Sequence, residues 1–233
     1  MRANIMAAVA ALGLSAGAAS AATVNASYAD ANSSFGTPNW SESVYIKWPG
    51  SNGGVYSAGL FRMVGDNGMG AFNAFCIDIY EGLQNNREYN VKPDTHGQSI
   101  VDNIDRLFTS AYAQVVDSVS AAAFQLSVWE VILDDGGTFS LDNGNFLTKR
   151  TWYGQEYNPA VEAQADLFLA GLANAGMGGY DLTFLQNDGS QDIVTGTKIN
   201  QIVPAVPVPA AGLMLLSALG GFGALRRKAR AKS

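Results

Sequence analysis

Short runs of hydrophobic and polar residues with a two-residue period, separated by turn-forming residues, predict that residues 22–98 are mostly β-structure. The clearest run is 43–48, Ser-Val-Tyr-Ile-Lys-Trp, which is rich in β-branched and aromatic residues. Two further strands are expected at 55–64 and 71–79. The Gly-Asp-Asn-Gly sequence at 65–68 lies between them and predicts a tight turn.

The period changes to that of a helix between residues 99 and 134. In the first predicted helix, Ser99 is the N-cap residue. Apolar side chains at helical spacing predict its buried face, which holds Ile100, Ile104, Leu107, Phe108 and Ala111. A second helix is predicted at 121–133. Its apolar side is expected to hold Phe124, Val128, Val131 and Ile132.

A third helix is expected where Asn158 precedes Pro159, because proline is favoured at the first helical position. This helix is expected to reach about residue 174, and strands are predicted again at 180–185 and 193–203. The order of elements predicts an α+β fold, in which a β-sandwich or barrel carries a helical insertion.

The first 21 residues have the pattern of a secretory signal peptide. Arg2 supplies the positive charge, and residues 5–14 form the apolar core. Ala19 and Ala21 occupy the two small-residue positions of an A-x-A cleavage site. Cleavage after Ala21 is therefore predicted, and the chain that follows is expected to be exported.

The last 30 residues combine a proline-rich motif, an uncharged span and a basic end. The span at 210–225 has 16 uncharged residues, which as a helix is about 24 Å long at ~1.5 Å per residue. Val208 and Pro209 extend it toward the ~20 residues of a usual membrane helix. One C-terminal transmembrane helix is predicted, with a cytoplasmic end marked by Arg226, Arg227, Lys228 and Arg230.

The tail resembles the PEP-CTERM family of bacterial sorting signals in its VPLPA-like variant. The residues that carry the resemblance are Val206, Pro207, Val208, Pro209 and Ala210, with Val208 where leucine is more common. The resemblance implies a transient inner-membrane anchor in a Gram-negative bacterium that makes exopolysaccharide. It also implies that an exosortase is a partner, which removes the tail or transfers the protein to the cell surface or matrix.

These signals divide the chain into a signal peptide at 1–21, an exported α+β domain at 22–203 and a sorting tail at 204–233. Of the 14 basic residues, Arg2 lies in the signal peptide and five lie in the tail. The exported domain keeps the other eight, against all 20 acidic residues, so its net charge is −12. Such an acidic domain is not expected to bind nucleic acid through phosphate contacts.

A single cysteine and a glutamine stand among apolar residues in two short motifs. The first motif is 75–78, Phe-Cys-Ile-Asp, on a predicted strand, and the second is 124–130, Phe-Gln-Leu-Ser-Val-Trp-Glu, on a predicted helix. Because Cys76 is the only cysteine of the chain, an internal disulfide is excluded. A lone thiol in an exported protein calls for another explanation.

The two motifs resemble those of bacterial thioester domains, in which an aromatic-Cys-apolar strand faces an apolar-Gln-x-x-apolar-apolar helix. The matching residues are Phe75, Cys76 and Ile77 in the first motif and Phe124, Gln125, Val128 and Trp129 in the second. The resemblance implies a covalent bond between the Cys76 sulfur and the Gln125 side-chain carbonyl. It also implies an adhesin whose thioester is attacked by an amine of a surface protein or exopolysaccharide.

Thioester formation requires a fold that holds the thiol against an amide, which is a poor electrophile. Phe75, Phe124 and Trp129 are expected to exclude water, which would hydrolyse the product. Asp78 and Glu130 are candidates for assisting proton transfer. Such a protein is a single-use covalent binder and not a turnover enzyme, and no metal or cofactor is expected.

Other interpretations of the same residues stay open. Cys76 as a small buried residue and Gln125 as an ordinary helix residue would suit a non-reactive structural or carbohydrate-binding protein of a biofilm matrix. A secreted hydrolase is less favoured, because His96 is the only histidine and no Gly-x-Ser-x-Gly motif accompanies it. The turns rich in Asp, Asn and Gly suit calcium, although turns need the same residues for steric reasons.

Overall fold

The structure is a computed structural model that describes residues 22–92, 96–134, 138–148, 151–152 and 155–199. The predicted signal peptide at 1–21, the sorting tail at 204–233 and its transmembrane helix lie outside the described residues. Within the described ranges, no helix is long and apolar enough to cross a membrane.

The first six strands precede the helices, as the alternating pattern predicted. They are β1 (Thr23–Tyr28), β2 (Ser41–Lys47), β3 (Gly54–Gly59), β4 (Phe61–Gly65), β5 (Gly70–Cys76) and β6 (Arg87–Val91). Two helices follow, α1 (Gln98–Ala111) and α2 (Ser118–Leu133), with a 3-10 turn at Tyr112–Gln114 between them. The remaining elements are β7 (Leu147–Thr148), β8 (Thr151–Trp152), β9 (Gln155–Glu156), α3 (Pro159–Leu172), β10 (Tyr180–Gln186) and β11 (Ile193–Lys198).

Six strands form a closed antiparallel barrel in the order β1-β4-β5-β11-β10-β6. The last strand of this order returns to the first, with Tyr89 of β6 opposite Val24 of β1. On the far side, Ile193 of β11 lies opposite Cys76 of β5. A three-stranded sheet of order β3-β2-β7 and a β8-β9 pair complete the strands. The predicted α+β fold is confirmed, and of the two predicted architectures the structure shows the barrel.

The helices form a layer whose centre is α2. Every residue of α2 from 120 to 131 is buried, so this helix is covered on all sides and not on the single apolar side that the sequence predicted. The buried face predicted for α1 is confirmed, since Ile100, Ile104, Leu107, Phe108 and Ala111 are all buried. The N-cap of α1 is Gly97 and not Ser99, because the helix already begins at Gln98.

The single strand predicted at 55–64 is two strands in two different sheets. The break falls at Leu60, whose N–H donates a 3.0 Å hydrogen bond to the carbonyl oxygen of Trp40. Gly59 packs so closely against the backbone of Trp40 and Ser41 that a side chain there would collide with it. Tertiary contact therefore ends β3 and redirects the chain into the barrel, which alternation alone does not reveal.

The third helix begins at Pro159 as predicted, but Asn158 caps it differently. Asn158 has a positive φ of 41° and makes no side-chain capping bond. Its Nδ2 instead donates a 2.7 Å hydrogen bond to the backbone oxygen of Ser43, which ties α3 to β2. The helix ends at Leu172, slightly before the predicted end, and the two predicted late strands are β10 and β11.

The N-terminus of α2 is held by a capping box. Oδ1 of Asp117 accepts the backbone N–H of Ser120 at 2.8 Å, and Oγ of Ser120 accepts the N–H of Asp117 at 3.0 Å. The side-chain and then the backbone hydrogen bond from Ser120 lower the pKa of Asp117. Replacing Asp117 therefore removes acceptors from a helix that the whole core surrounds.

We predict that Asp117→Ala lowers the free energy of unfolding at neutral pH by about 1 kcal/mol, a typical cost of a lost N-cap. Since the pKa of Asp117 is lowered in the folded state, this stabilisation is present above the usual pKa of 3.8 and is lost as the pH falls through the lowered value. Urea titrations from pH 7 to pH 3 measure the difference. Asp142→Ala, at an exposed loop position, is the matched control; an equal loss there would contradict the capping account.

Candidate functional site

The two motifs meet where β5 ends and α2 reaches its middle. The backbone N–H of Cys76 donates a 2.8 Å hydrogen bond to Oε1 of Gln125. In return, Nε2 of Gln125 donates a 2.9 Å hydrogen bond to the carbonyl oxygen of Cys76. Both residues are buried, with exposed fractions of 0% and 1%. A reciprocal pair of hydrogen bonds therefore joins two residues that lie 49 positions apart.

The carboxamide of Gln125 takes the place of a missing strand residue. The pairing of β4 with β5 stops at Phe61, which lies opposite Ala74. The N–H of Ile77 donates to the carbonyl oxygen of Asp192 and therefore points toward β11. Because neighbouring residues of a strand direct their backbone groups to opposite sides, the N–H and C=O of Cys76 point to the other side, where β4 no longer pairs. A carboxamide carries both a donor and an acceptor, and it satisfies both buried backbone groups at once.

The thiol of Cys76 is fully buried and uncharged at neutral pH. Its pKa is raised to about 12, mainly by burial and to a smaller extent by the nearby charges of Asp78 and Asp192. The indole of Trp129 and the backbone of Asp78 act in the opposite direction. Sγ donates a 3.0 Å hydrogen bond to the carbonyl oxygen of Asp78. The sulfur therefore holds its proton until a reaction removes it.

Aromatic rings seal the site on the side of the helical layer. The rings of Phe75 and Phe124, the neighbours of Cys76 and Gln125 in sequence, lie 4.5 Å apart between centroids. Phe108 of α1 packs edge-on against Phe124 at 5.1 Å and against Phe75 at 6.2 Å. All three side chains are fully buried, so this cluster excludes water as the sequence predicted for two of them.

Trp129 lies one helical turn after Gln125 and faces the same region. Its exposed fraction is 5%, and its Nε1 has no hydrogen-bond partner among the described residues. The indole is nevertheless close enough to the Cys76 sulfur to lower the pKa of the thiol. An unsatisfied buried N–H is uncommon in proteins. Here it lies beside a sulfur that accepts hydrogen bonds well only when it is charged.

A cavity of about 520 Å³ reaches Gln125 and Trp129 from outside. The side chains of β2, β3 and the segment 79–83 form much of its wall. Exposed Tyr80 and Glu81 lie at its rim. The aromatic side chains that line the cavity are Phe35, Trp48, Tyr56, Phe61, Tyr80 and Trp129. Gln125 is therefore sealed on one side and borders an aromatic cavity on the other.

The structure does not bring Glu130 to the thiol. Glu130 follows Gln125 by five positions, which is about 140° around a helix of 3.6 residues per turn. Its Oε1 accepts the N–H of Ser140 at 2.6 Å, and its Oε2 is buried without a partner in the part of the chain that is described. Asp78 does lie beside Cys76, but its Oδ1 accepts the N–H of Tyr80 at 2.9 Å.

Comparisons with protein-family models, with curated proteins and with solved structures found no match for this chain. The site is therefore interpreted from its own geometry. No group of three or more His, Cys, Asp or Glu side chains that could hold a metal ion occurs in the described ranges. His96 lies in a separate pocket with Lys92 and Gln98, away from Cys76.

The cavity wall is the part of the site that the sequence did not predict. Phe35, Trp48, Phe61 and Tyr80 come from four separate segments and share no local motif. Only the tertiary fold brings these four segments to the cavity that Gln125 borders. Their individual signals, single aromatic residues in or beside strands, are those of any barrel core.

Burial makes Glu130 a source of pH-dependent stability. Burial raises its pKa to about 8; the Ser140 N–H lowers it, and the charges of Asp134 and Asp166 raise it. Since the folded pKa lies above the unfolded value of 4.5, the folded state binds more protons between these values. The stability that protonated Glu130 contributes is then fully present below pH 4.5 and is lost as the pH rises toward 8.

In the unmodified chain, the free energy of unfolding is expected to fall by on the order of 4 kcal/mol between pH 4.5 and pH 8, at about 1.4 kcal/mol per pKa unit. We predict that Glu130→Gln abolishes this fall. Urea titrations at several pH values measure this slope in the two proteins. The exposed Glu88→Gln is the control and should keep the slope of the unmodified chain. An unchanged slope in Glu130→Gln would show that this carboxyl is not the buried group that titrates.

Proposed function

We propose that the chain is an exported surface or matrix protein whose barrel domain forms an internal thioester between Cys76 and Gln125. The reaction forms a bond from Sγ of Cys76 to Cδ of Gln125 and breaks the bond from Cδ to Nε2. The thiol proton leaves with that nitrogen as ammonia, so the step requires no oxidant and no cofactor. The product stores an electrophile inside the protein.

The reciprocal hydrogen bonds between Cys76 and Gln125 carry this proposal. They hold the carboxamide beside the residue whose thiol must attack it. This proximity compensates for the low reactivity of an amide toward a thiol. The Cys76 N–H, 2.8 Å from Oε1, is also a fixed donor at the oxygen that becomes negative when sulfur attacks the carbonyl carbon. One backbone group thus positions the amide and activates it.

Trp129 supplies the second stabilising group in the proposed reaction. A thiol with a pKa near 12 is a weak nucleophile, and the same sulfur must later leave as charge builds on it. The unpartnered indole N–H of Trp129 lies beside this sulfur and favours its charged form. It therefore assists both the formation of the thioester and its opening.

The aromatic cavity is the proposed route for the partner. A primary amine that enters it attacks Cδ of Gln125, forms an amide and returns a proton to the Cys76 thiol. Aromatic faces attract cations within about 6 Å, and Glu81 adds a negative charge at the rim. The partner is then an amine-bearing surface protein or exopolysaccharide and not a nucleic acid. Because the bond is permanent, the protein is a single-use adhesin and not a turnover enzyme.

The export and sorting part of the proposal rests on the terminal sequences alone. The signal peptide at 1–21 leads the chain out of the cytoplasm, and the tail provides a transient inner-membrane anchor. The PEP-CTERM-like motif at 206–210 makes an exosortase the partner that processes the tail. The exported domain would then reach the cell surface or the extracellular matrix.

A non-reactive matrix protein is the second candidate, and one observation favours it. Both polar atoms of the Gln125 carboxamide already have good hydrogen bonds, which a purely structural role of this residue explains as well. In that case Cys76 keeps a free thiol, and binding to a polysaccharide is non-covalent. The two candidates differ in the covalent state of one sulfur, which mass spectrometry measures directly.

We predict that the full-length chain, purified in detergent without amines or reducing agents, gains the mass of one methylamine on treatment with that amine. The thioester must open to a Gln125 N-methylamide and a free Cys76 thiol. The treated protein should then react with iodoacetamide after denaturation, and the untreated protein should not. Comparing treated with untreated protein makes the result independent of processing at either terminus.

Cys76→Ala and Gln125→Ala are the two control variants, and neither should take up methylamine. Since Gln125→Ala leaves two buried backbone groups unpaired, its folding is checked by circular dichroism. Cys76→Ala keeps those backbone groups and the Gln125 hydrogen bonds. Unmodified mass with a free thiol in the untreated protein would reject the covalent proposal in favour of the non-reactive candidate.

We also predict that Trp129→Phe slows methylamine uptake by about tenfold or more, because a hydrogen bond to a charged group contributes about 1.5–3 kcal/mol. The variant keeps an aromatic ring and loses the N–H. Trp48→Phe makes the same change elsewhere in the cavity and should alter the rate by less than about twofold. Equal effects of the two substitutions would assign Trp129 to packing alone.

A further inference from the structure

A second cavity, of about 510 Å³, lies on the barrel wall where β4, β5 and β11 are neighbours. It shares no lining residue with the aromatic cavity at Gln125. We call it the basic groove, and its polar lining is formed by Arg62, Asn73, Tyr112, Thr195, Thr197 and Lys198. Arg62 lies opposite Asn73 in the register of β4 and β5, so these side chains emerge side by side.

The charge of this groove is opposite to that of the domain around it. None of the eleven described residues that line it is acidic, although the exported domain has a net charge of −12. Two of the six basic residues in the described ranges, Arg62 and Lys198, line it. No carboxylate of the described residues pairs with either of them. Two cations in a concave polar site, without a carboxylate partner among the described residues, favour an anionic ligand.

The position of Arg62 is fixed before any ligand arrives. Its N–H donates to the carbonyl oxygen of Ser34, and its own carbonyl oxygen accepts the N–H of Ala29, both at 2.8 Å. The aliphatic part of its side chain packs on Gly36, which has a φ of +72° and where a Cβ would lie 2.7 Å from Cδ of Arg62. Less conformational entropy is then lost when the guanidinium binds.

A carboxylate near Arg62 is engaged by its own loop. Asp30 borders an adjoining pocket that Arg62 also lines. Its Oδ2 accepts the Thr37 hydroxyl at 2.6 Å, and its Oδ1 accepts the N–H of Asn32 at 3.0 Å. Both oxygens of Asp30 are thus engaged within its own loop, and among the described residues no carboxylate forms an ion pair with Arg62.

The other lining groups restrict the chemistry of that ligand. Asn73, beside Arg62, offers an amide, and Tyr112 offers a hydroxyl group and the apolar face of its ring. A sugar ring has hydroxyl groups and an apolar face, and a uronic acid adds a carboxylate for Arg62 and Lys198. We propose that the basic groove binds an acidic glycan, with its uronate carboxylate on these two cations. The cavity volume lies within the range of small-molecule sites.

This site is independent of the thioester. A protein whose Cys76 never reacts would still present the groove, and a Cys76→Ala variant should bind the glycan with unchanged affinity. In a reactive protein, non-covalent capture of an acidic polysaccharide would hold the molecule at a surface while its aromatic cavity meets an amine.

The test is calorimetric titration of the full-length chain in detergent with a galacturonic acid hexamer. A glucose hexamer is the neutral control, and sodium phosphate is the inorganic anion. We expect the acidic hexamer to bind at least about tenfold more tightly than either. Arg62→Gln and Lys198→Gln should each weaken it by about tenfold, since a charge-assisted hydrogen bond contributes about 1.5–3 kcal/mol. Lys47→Gln, an exposed cation on β2, should change the affinity less than twofold.

Four outcomes would overturn the proposal. They are no binding of the acidic hexamer, equal binding of the neutral hexamer, unchanged affinity in Arg62→Gln and Lys198→Gln, and phosphate binding as tight as that of the hexamer. The last result would define a simple anion site with no preference for sugar. Because the Lys198 side chain is exposed and makes no hydrogen bond with the described residues, its variant is expected to fold and to keep the test decisive.

Discussion

The pair of hydrogen bonds between the Gln125 carboxamide and the Cys76 backbone is the contact on which the rest of this structure depends. The barrel leaves one side of β5 unpaired at Cys76, where β4 has turned away, and a buried peptide group without partners costs about 1–3 kcal/mol. A side chain from α2 meets this need, so a pair of hydrogen bonds joins the helical layer to the barrel at Cys76. Complete burial of α2 follows from that position, between the barrel, the small sheet and the other helices.

The same contact explains how one site can be both protected and reachable. Phe75, Phe108 and Phe124 close the side toward the helices, while the aromatic cavity borders Gln125 on the other. A thioester in this position would be shielded from bulk water, yet an amine small enough to enter the cavity could reach it. The unpartnered N–H of Trp129 lies where charge would develop on sulfur.

Local patterns predicted most elements and the two motifs that the structure brings together, whereas tertiary contacts decided the details. Alternation and helical spacing indicated the strands, the buried face of α1 and the start of α3, because these depend on neighbours in sequence. The break at Leu60 and the aromatic wall of the cavity depend on residues far apart in the chain, so no local pattern reveals them. The distance of Glu130 from the thiol was available in the sequence, since five residues of helix turn a side chain away from Gln125.

The most direct test of the covalent account is peptide mapping after digestion by pepsin at low pH, where amines are protonated and a thioester survives. The account predicts one cross-linked pair of peptides, from the end of β5 and from α2, with a combined mass lower by one ammonia. Fragmentation should locate the link at Cys76 and Gln125. Two separate peptides, one with a free Cys76 thiol and one with an intact Gln125 amide, would contradict it.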